Sequence, residues 1–257
     1  MSYLLKFGAY TFPSGFKPIS HSWPKDIAAQ ERPRLAGAAT QAARPQARKL
    51  TVAGTAMGFG GGPAQVQAAI DSVRAALEAS PGPQPLYFGR DDRFILAQVT
   101  ALTESYGGGA TQPSWYGAAH SLNVEFTAGW PYFQDGAGVQ TLSLPAAGAA
   151  IQPSGNAPTF ATWTLNVATG GSGAIVLANG ATGESATLTG TFSAGDAIIL
   201  QRGDGVYGVS YNGAPTPSLM TGVIPMLATG SNVVALSASG GVALGAGSVA
   251  YTAQWMS

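Results

Sequence analysis

Residues 121–138 read Ser121-Leu122-Asn123-Val124-Glu125-Phe126-Thr127-Ala128-Gly129-Trp130-Pro131-Tyr132-Phe133-Gln134-Asp135-Gly136-Ala137-Gly138. Leu122, Val124 and Phe126 alternate with Ser121, Asn123 and Glu125, a period of two that puts the apolar side chains on one face of a half-buried strand. The strand runs into Trp130, Pro131, Tyr132 and Phe133, a bulky cluster set just before Asp135-Gly136-Ala137-Gly138, whose residue types signal a turn or short linker. This order predicts a domain junction, with the four bulky residues packed at or near it.

The charge distribution marks the same break. Of the 12 basic and 12 acidic residues, only Arg202, Glu184, Asp196 and Asp204 follow it, together with 20 of the 36 glycines. Two domains are therefore expected, residues 1–137 and 138–257, each large enough for its own core.

Upstream of the junction, Arg93 to Ser105 is the natural partner of the alternating strand. Leu86-Tyr87-Phe88, the turn Gly89-Arg90-Asp91-Asp92 and this long run form a β-hairpin. Tyr3 to Tyr10 and Lys49 to Met57 also read as strands. One helix is expected over 63–79: Pro63 suits a first turn, Val66, Ile70, Val73 and Leu77 share a face, and Ser80-Pro81-Gly82-Pro83 stops it. The first domain is thus a small β-barrel or sandwich with one helix and a long hairpin.

Residues 28–48 differ from their surroundings. They carry Arg32, Arg34, Arg44 and Arg48 among Ala, Gln and Pro, with almost no large apolar side chain, so they cannot fill a core. Two readings stay open on composition alone: a solvated or disordered loop, or an extended inter-subunit arm ordered by a neighbouring copy.

The second domain reads as all β. Runs at Phe160 to Val167, Gly173 to Ala178, Ser185 to Phe192, Asp196 to Gln201, Val206 to Tyr211, Asn232 to Ser239 and Val249 to Met256 are separated by turn signals such as Asn179-Gly180, Gly203-Asp204-Gly205 and Asn212-Gly213. The spacing of about 8–12 residues is that of an antiparallel sandwich or jelly roll.

Composition excludes several function classes. The chain has 36 Gly and 17 Pro, no Cys, 9% charged residues against a typical value of about 25%, and zero net charge. No global field draws in nucleic acid or an anionic membrane. A weakly charged, neutral surface suits a protein held in an assembly better than a free one. Disulfides, thiolate catalysis and Cys-based zinc sites are excluded. Apolar runs fall far short of the roughly 20 residues of a membrane span, and Met1 to Tyr10 lacks the pattern of a secretory signal; neither a membrane protein nor Sec export is expected.

Nothing gathers into a catalytic site. The second domain has three carboxylates, one Arg and no His, and Asp196 and Asp204 sit beside glycines, where Asp serves turns. His21 and His120 carry no metal-ligand spacing. Gly58 to Gly62 lacks the Lys-Ser/Thr of a phosphate loop. No enzyme, cofactor or metal is expected. Trp163, Tyr207, Tyr211 and Trp255 read as core aromatics, with a sugar-stacking platform as the alternative.

The order of features resembles one family. Phe7-Gly8-Ala9-Tyr10-Thr11-Phe12-Pro13, the Arg-containing arm, Arg48-Lys49-Leu50-Thr51-Val52-Ala53-Gly54, the helix, the Leu86 hairpin and Val124-Glu125-Phe126 running to Pro131-Tyr132-Phe133 resemble the distal tail proteins of long-tailed, non-contractile phages and gene transfer agents. Ile175 to Asn179, Gly195-Asp196-Ala197-Ile198-Ile199 and Leu227 to Asn232 resemble landmarks of that family's second domain, over nearly the whole chain. The resemblance implies a galectin-like second domain and a virion structural protein, a baseplate hub at the distal end of the tail, assembled in the host cytoplasm. Six copies would close a homohexameric ring around a DNA channel, joining the tail-tube protein to the tail-tip protein. No reaction or cofactor is implied. A tail-tube protein and a carbohydrate-binding host-adhesion module are the alternatives; the second would take a host glycan as partner.

Overall fold

A computed structural model describes the chain apart from residues 1–4, 14, 23–24, 27–28, 32–37, 41–43, 57–62, 80–81, 90, 107–119, 204–205 and 257. It is mainly β, with a single α-helix among the described residues, and divides into two units, Met1–Gly136 and Ala137–Ser257.

Unit 1 contains β1 (Leu5–Phe7), β2 (Tyr10–Thr11), β3 (Lys17–Ser22), β4 (Lys25–Asp26), β5 (Ala29–Glu31), β6 (Ala38–Thr40), β7 (Arg44–Pro45), β8 (Arg48–Ala56), α1 (Pro63–Glu78), β9 (Gln84–Phe88), β10 (Arg93–Tyr106), β11 (His120–Ala128) and β12 (Phe133–Asp135). The main sheet runs β2-β1-β9-β10-β11-β8-β3. β10 is shared by two layers. Its start pairs with β9, Ile95 opposite Leu86, and its remainder pairs with β11 from Gln98 to Tyr106, with a bulge between Val99 and Ala101. A bulge bends a strand and increases its twist, which lets the two layers face each other. Phe7 from one layer and Phe126 from the other lie 5.0 Å apart between ring centroids, both buried. Among the described residues the sheet does not close on itself, so the sandwich form holds and the barrel does not.

Two local readings change. The strand expected from Tyr3 to Tyr10 is instead a tight hairpin, Phe7 opposite Tyr10, because Gly8 takes φ +56° and turns the chain. Gly54 interrupts the β-branched pattern of β8 for a packing reason. A Cβ there would meet the Phe16 ring at 2.2 Å, so the bare Cα makes room for that buried phenyl. On α1, Ile70, Val73 and Leu77 are buried, as the helical spacing requires.

Unit 2 is a two-sheet sandwich of β13 (Gln140–Leu144), β14 (Gly148–Ile151), β15 (Ala161–Thr169), β16 (Gly171–Asn179), β17 (Glu184–Phe192), β18 (Ala197–Gly203), β19 (Val206–Tyr211), β20 (Ala214–Pro215), β21 (Met220–Gly222), β22 (Asn232–Ala238), β23 (Ala243–Leu244) and β24 (Gly247–Tyr251). One sheet has the order β13-β24-β15-β18-β19-β20, with β23 beside β15; the other has β14-β22-β16-β17-β21. Trp163, Leu165, Ile198, Leu200 and Val249 from the first sheet and Ile175, Leu177, Ala186, Leu188 and Val234 from the second fill one core. Their neighbours along each strand face outward, as a two-sheet sandwich demands. β13, β14 and β21 escape a periodicity reading because they are short. The strand read from Val249 to Met256 is two, Gly247–Tyr251 and the two-residue strand Gln254–Trp255, and a 3-10 turn at Pro217–Leu219 stands where only β structure was expected.

Candidate assembly surfaces

In unit 2 the described ionisable side chains are committed to the fold. Asp196 accepts the Ser193 N–H at 2.6 Å, the Asn212 amide at 2.9 Å and the Tyr211 hydroxyl. The Asn212 bond first, then Tyr211 and Ser193, hold its carboxyl below the ordinary value. Hydrogen bonds to the ionised form favour it. Asp196 is thus a turn-fixing acceptor. Asp204 lies outside the described residues.

Arg202 and Glu184 pair at 2.8 Å and together grip the irregular segment 223–228. Arg202 donates to the Ile224 carbonyl at 2.7 Å, and the Tyr207 hydroxyl accepts the Ile224 N–H at 3.1 Å. Trp163 Nε1 donates to the Pro225 carbonyl at 3.0 Å. Glu184 accepts the Met226 N–H at 2.8 Å, and Asn179 donates to the Met226 carbonyl at 2.6 Å. Buried backbone without a sheet partner needs such side-chain partners. Of the four aromatics weighed as a sugar platform, Trp163 is buried, Trp255 is half-buried, Tyr211 is tied to Asp196, and Tyr207 is 55% exposed beside the 223–228 segment. Among the described residues no group of three or more His, Cys, Asp or Glu side chains is arranged to hold a metal ion, and no helix is long and apolar enough to cross a membrane.

Strand edges of unit 1 are candidate surfaces with unused bonding capacity among the described residues. β3 pairs with β8, and the pairing continues outward as a ribbon: Lys25 opposite Pro45, Asp26 opposite Arg44, then Ala29, Gln30 and Glu31 opposite Thr40, Ala39 and Ala38. The described residues of the Arg-rich segment therefore lie mostly in short antiparallel strand pairs. No third strand joins these outer pairs among the described residues. A two-stranded ribbon is marginal alone in water. The second edge is β10 itself: from Gln98 to Tyr106 it pairs with β11 on one side, while among the described residues β9 accompanies it only at Ile95 to Ala97 on the other.

The residues expected at the arm and the junction are placed unequally. Arg32 and Arg34 lie outside the described residues, and Arg44 is placed by its backbone in β7. Arg48 is 3% exposed and its guanidinium lies 5.1 Å from the Phe133 ring centroid. Burial lowers its pKa and Tyr132 opposes that shift. Arg48 is thus turned toward the Phe133 ring of its own unit. Tyr132 and Phe133 are buried, and the Trp130 and Tyr132 rings meet edge to face at 5.1 Å. One residue of the arm and one of the aromatic cluster are therefore in contact, which the sequence readings had kept apart.

No family model matches the chain, and no curated protein matches it. Among solved structures, the fold is that of the Dit (gp 19.1) protein of phage SPP1, reported as a paradigm of the hub adsorption apparatus in phages infecting Gram-positive hosts. That likeness has a TM-score of 0.66 and 16% identity, and covers 98% of both chains. Chains of the phage P2 baseplate in its activated conformation, with calcium and with strontium, match at TM-scores of 0.41 and 0.40 and identities of 8% and 7%.

Proposed function

We propose that this chain is a structural hub at the distal end of a long, non-contractile phage-like tail. Six copies form a closed ring around a DNA channel and join the tail tube to the tail-tip protein. The observation that carries this reading is the likeness to the SPP1 Dit fold across 98% of both chains, since a match of both units in one order is more specific than a match of either sandwich. The reading includes no reaction.

Two features of unit 1 support ring closure. A heterologous ring needs each copy to present two different complementary surfaces. The ribbon β4 to β7 and the unaccompanied edge of β10 are two such surfaces, both backbone edges that a neighbouring strand can satisfy. The ribbon of one copy is an assembly clasp: Arg32, Arg34 and Arg44 make bidentate contacts with carboxylates of the next copy while the ribbon backbone gains a third strand. Replacing residues 30–46 with a short Gly-Ser linker leaves both units folded by circular dichroism and shifts the oligomer toward monomers. Rings that form equally well without the ribbon would assign it to another tail protein or to no contact.

A further inference from the structure

Two asparagines in the chain precede a glycine, Asn179 and Asn212. Such a pair is open to attack by the main chain on the side chain, because a glycine, lacking a side chain, lets its nitrogen approach the neighbouring amide carbon. The structure sets the two pairs apart. Asn179 ends β16, an interior strand of its sheet, and is 1% exposed. Its side-chain amide is held by the Met226 carbonyl, Asn232 and the Ala181 N–H, and the Gly180 N–H is itself bonded to the Val233 carbonyl at 3.0 Å. Reaction there requires one end of the sandwich to come apart. Asn212 and Gly213 are instead exposed at the tip of the β19–β20 hairpin, at φ +48° and +83°, the left-handed pair of a two-residue turn. Beyond its chain neighbours, no heavy atom lies within 4 Å of the point where a Gly213 Cβ would stand.

In the closed hairpin the Asn212 Oδ1 accepts the Ala197 N–H at 2.9 Å and its Nδ2 donates to Asp196 at 2.9 Å. Little else fastens this tip. β20 is two residues long, lies at the end of its sheet and contains Pro215, which supplies no N–H. A short edge hairpin opens locally at a small part of the cost of unfolding the whole unit. We propose that Asn212 is a site of spontaneous deamidation, reached by opening of this hairpin. The Gly213 nitrogen bonds to the Asn212 Cγ, the Cγ–Nδ2 bond breaks, and the Gly213 proton leaves with the amide nitrogen as ammonia, which closes a cyclic imide. Water then adds to either imide carbonyl and the ring opens to aspartate or isoaspartate, the acid proton passing to solvent. Either product puts a carboxylate where the Asn212 amide donated to Asp196. Two like charges at that distance repel, and isoaspartate also lengthens the main chain of the turn by a methylene. The conversion is therefore a one-way unfastening of β20 from the Asp196 turn, and it does not rest on the tail reading.

The test follows the natural full chain at mildly alkaline pH and below its melting temperature, with samples digested in acid and the peptides weighed. The Asn212 peptide acquires the mass of the acid, in separable aspartyl and isoaspartyl forms, roughly tenfold or more faster than the Asn179 peptide, because only the hairpin has to open. Asp196→Ala removes one of the two bonds on the Asn212 amide and speeds its conversion further. The Asn179 rate stays as it was, which reports that unit 2 is still folded. Should that variant convert Asn179 quickly as well, unit 2 has opened and the natural chain alone decides. Conversion of Asn212 no faster than of Asn179 in the natural chain would overturn the proposal, and so would an unchanged Asn212 rate in a folded Asp196→Ala chain.

Discussion

Asn179 donates its side-chain amide to the Oδ1 of Asn232 at 2.9 Å, and both residues are almost fully buried, at 1% and 0% exposure. The pair closes one end of the unit 2 sandwich. Asn232 also accepts the Ala228 N–H at 2.7 Å and donates to the carbonyls of Ala228 and Gly230, while Asn179 Oδ1 accepts the Ala181 N–H at 3.0 Å. Both belong to the short motifs by which the second half resembles distal tail proteins. Their chemistry is that of a staple between two loops, which gives those motifs a structural meaning.

Replacing Asn232 with Ala removes the shared acceptor of one Asn179 amide hydrogen and of the Ala228 N–H, while Asn179 keeps its bond to the Met226 carbonyl. A buried polar group left unsatisfied costs about 1–3 kcal/mol, so thermal unfolding of unit 2 falls by several degrees, and Asn179→Ala adds less than its own single effect. Additive losses in a double-mutant cycle would show that the two side chains act independently.

Gly54→Ala tests the packing of unit 1. The added methyl collides with the Phe16 ring, and overpacking of this kind costs about 1–3 kcal/mol. Phe16→Leu in the same chain relieves part of that cost, because a smaller side chain vacates the space. Chemical denaturation that finds the double variant no better than the sum of the singles would contradict the contact.

Much of this architecture is legible in the sequence. Period-two alternation marks β11, helical spacing marks α1, and turn residues separate most of the strands. The pairing of β10 with β11 is legible from the alternating pattern, whereas Asp26 opposite Arg44 or Thr159 opposite Leu227 leaves no local trace. The Arg-rich segment shows the limit: its composition excludes a core, yet backbone pairing needs no apolar side chain, so the ribbon escaped notice. Arg48 shows a related limit, since an aromatic ring 85 positions away in the chain lies against it.

Asp196 gives unit 2 a pH dependence of definite sign. Its carboxyl is held below the ordinary value in the fold, so the stability it contributes is present above the unfolded pKa of about 3.9. That contribution is lost as the pH falls through the lower, folded value. Melting curves of the natural chain and Asp196→Asn should differ most above about pH 4 and converge on acidification. A gap that widens at low pH would reverse the assignment.

The two units are expected to fold separately. Residues 138–257 expressed alone should give a cooperative melt and β-type circular dichroism, because the core of Trp163, Leu165, Ile175, Leu177 and Leu200 is drawn from within unit 2. A disordered product would refute independent folding.

The central claim is a closed ring, and the mass of the native assembly tests it most directly. Native mass spectrometry of the purified chain at high concentration, and of tail particles containing it, should give a closed species of six copies. A strict monomer in both settings would contradict the account.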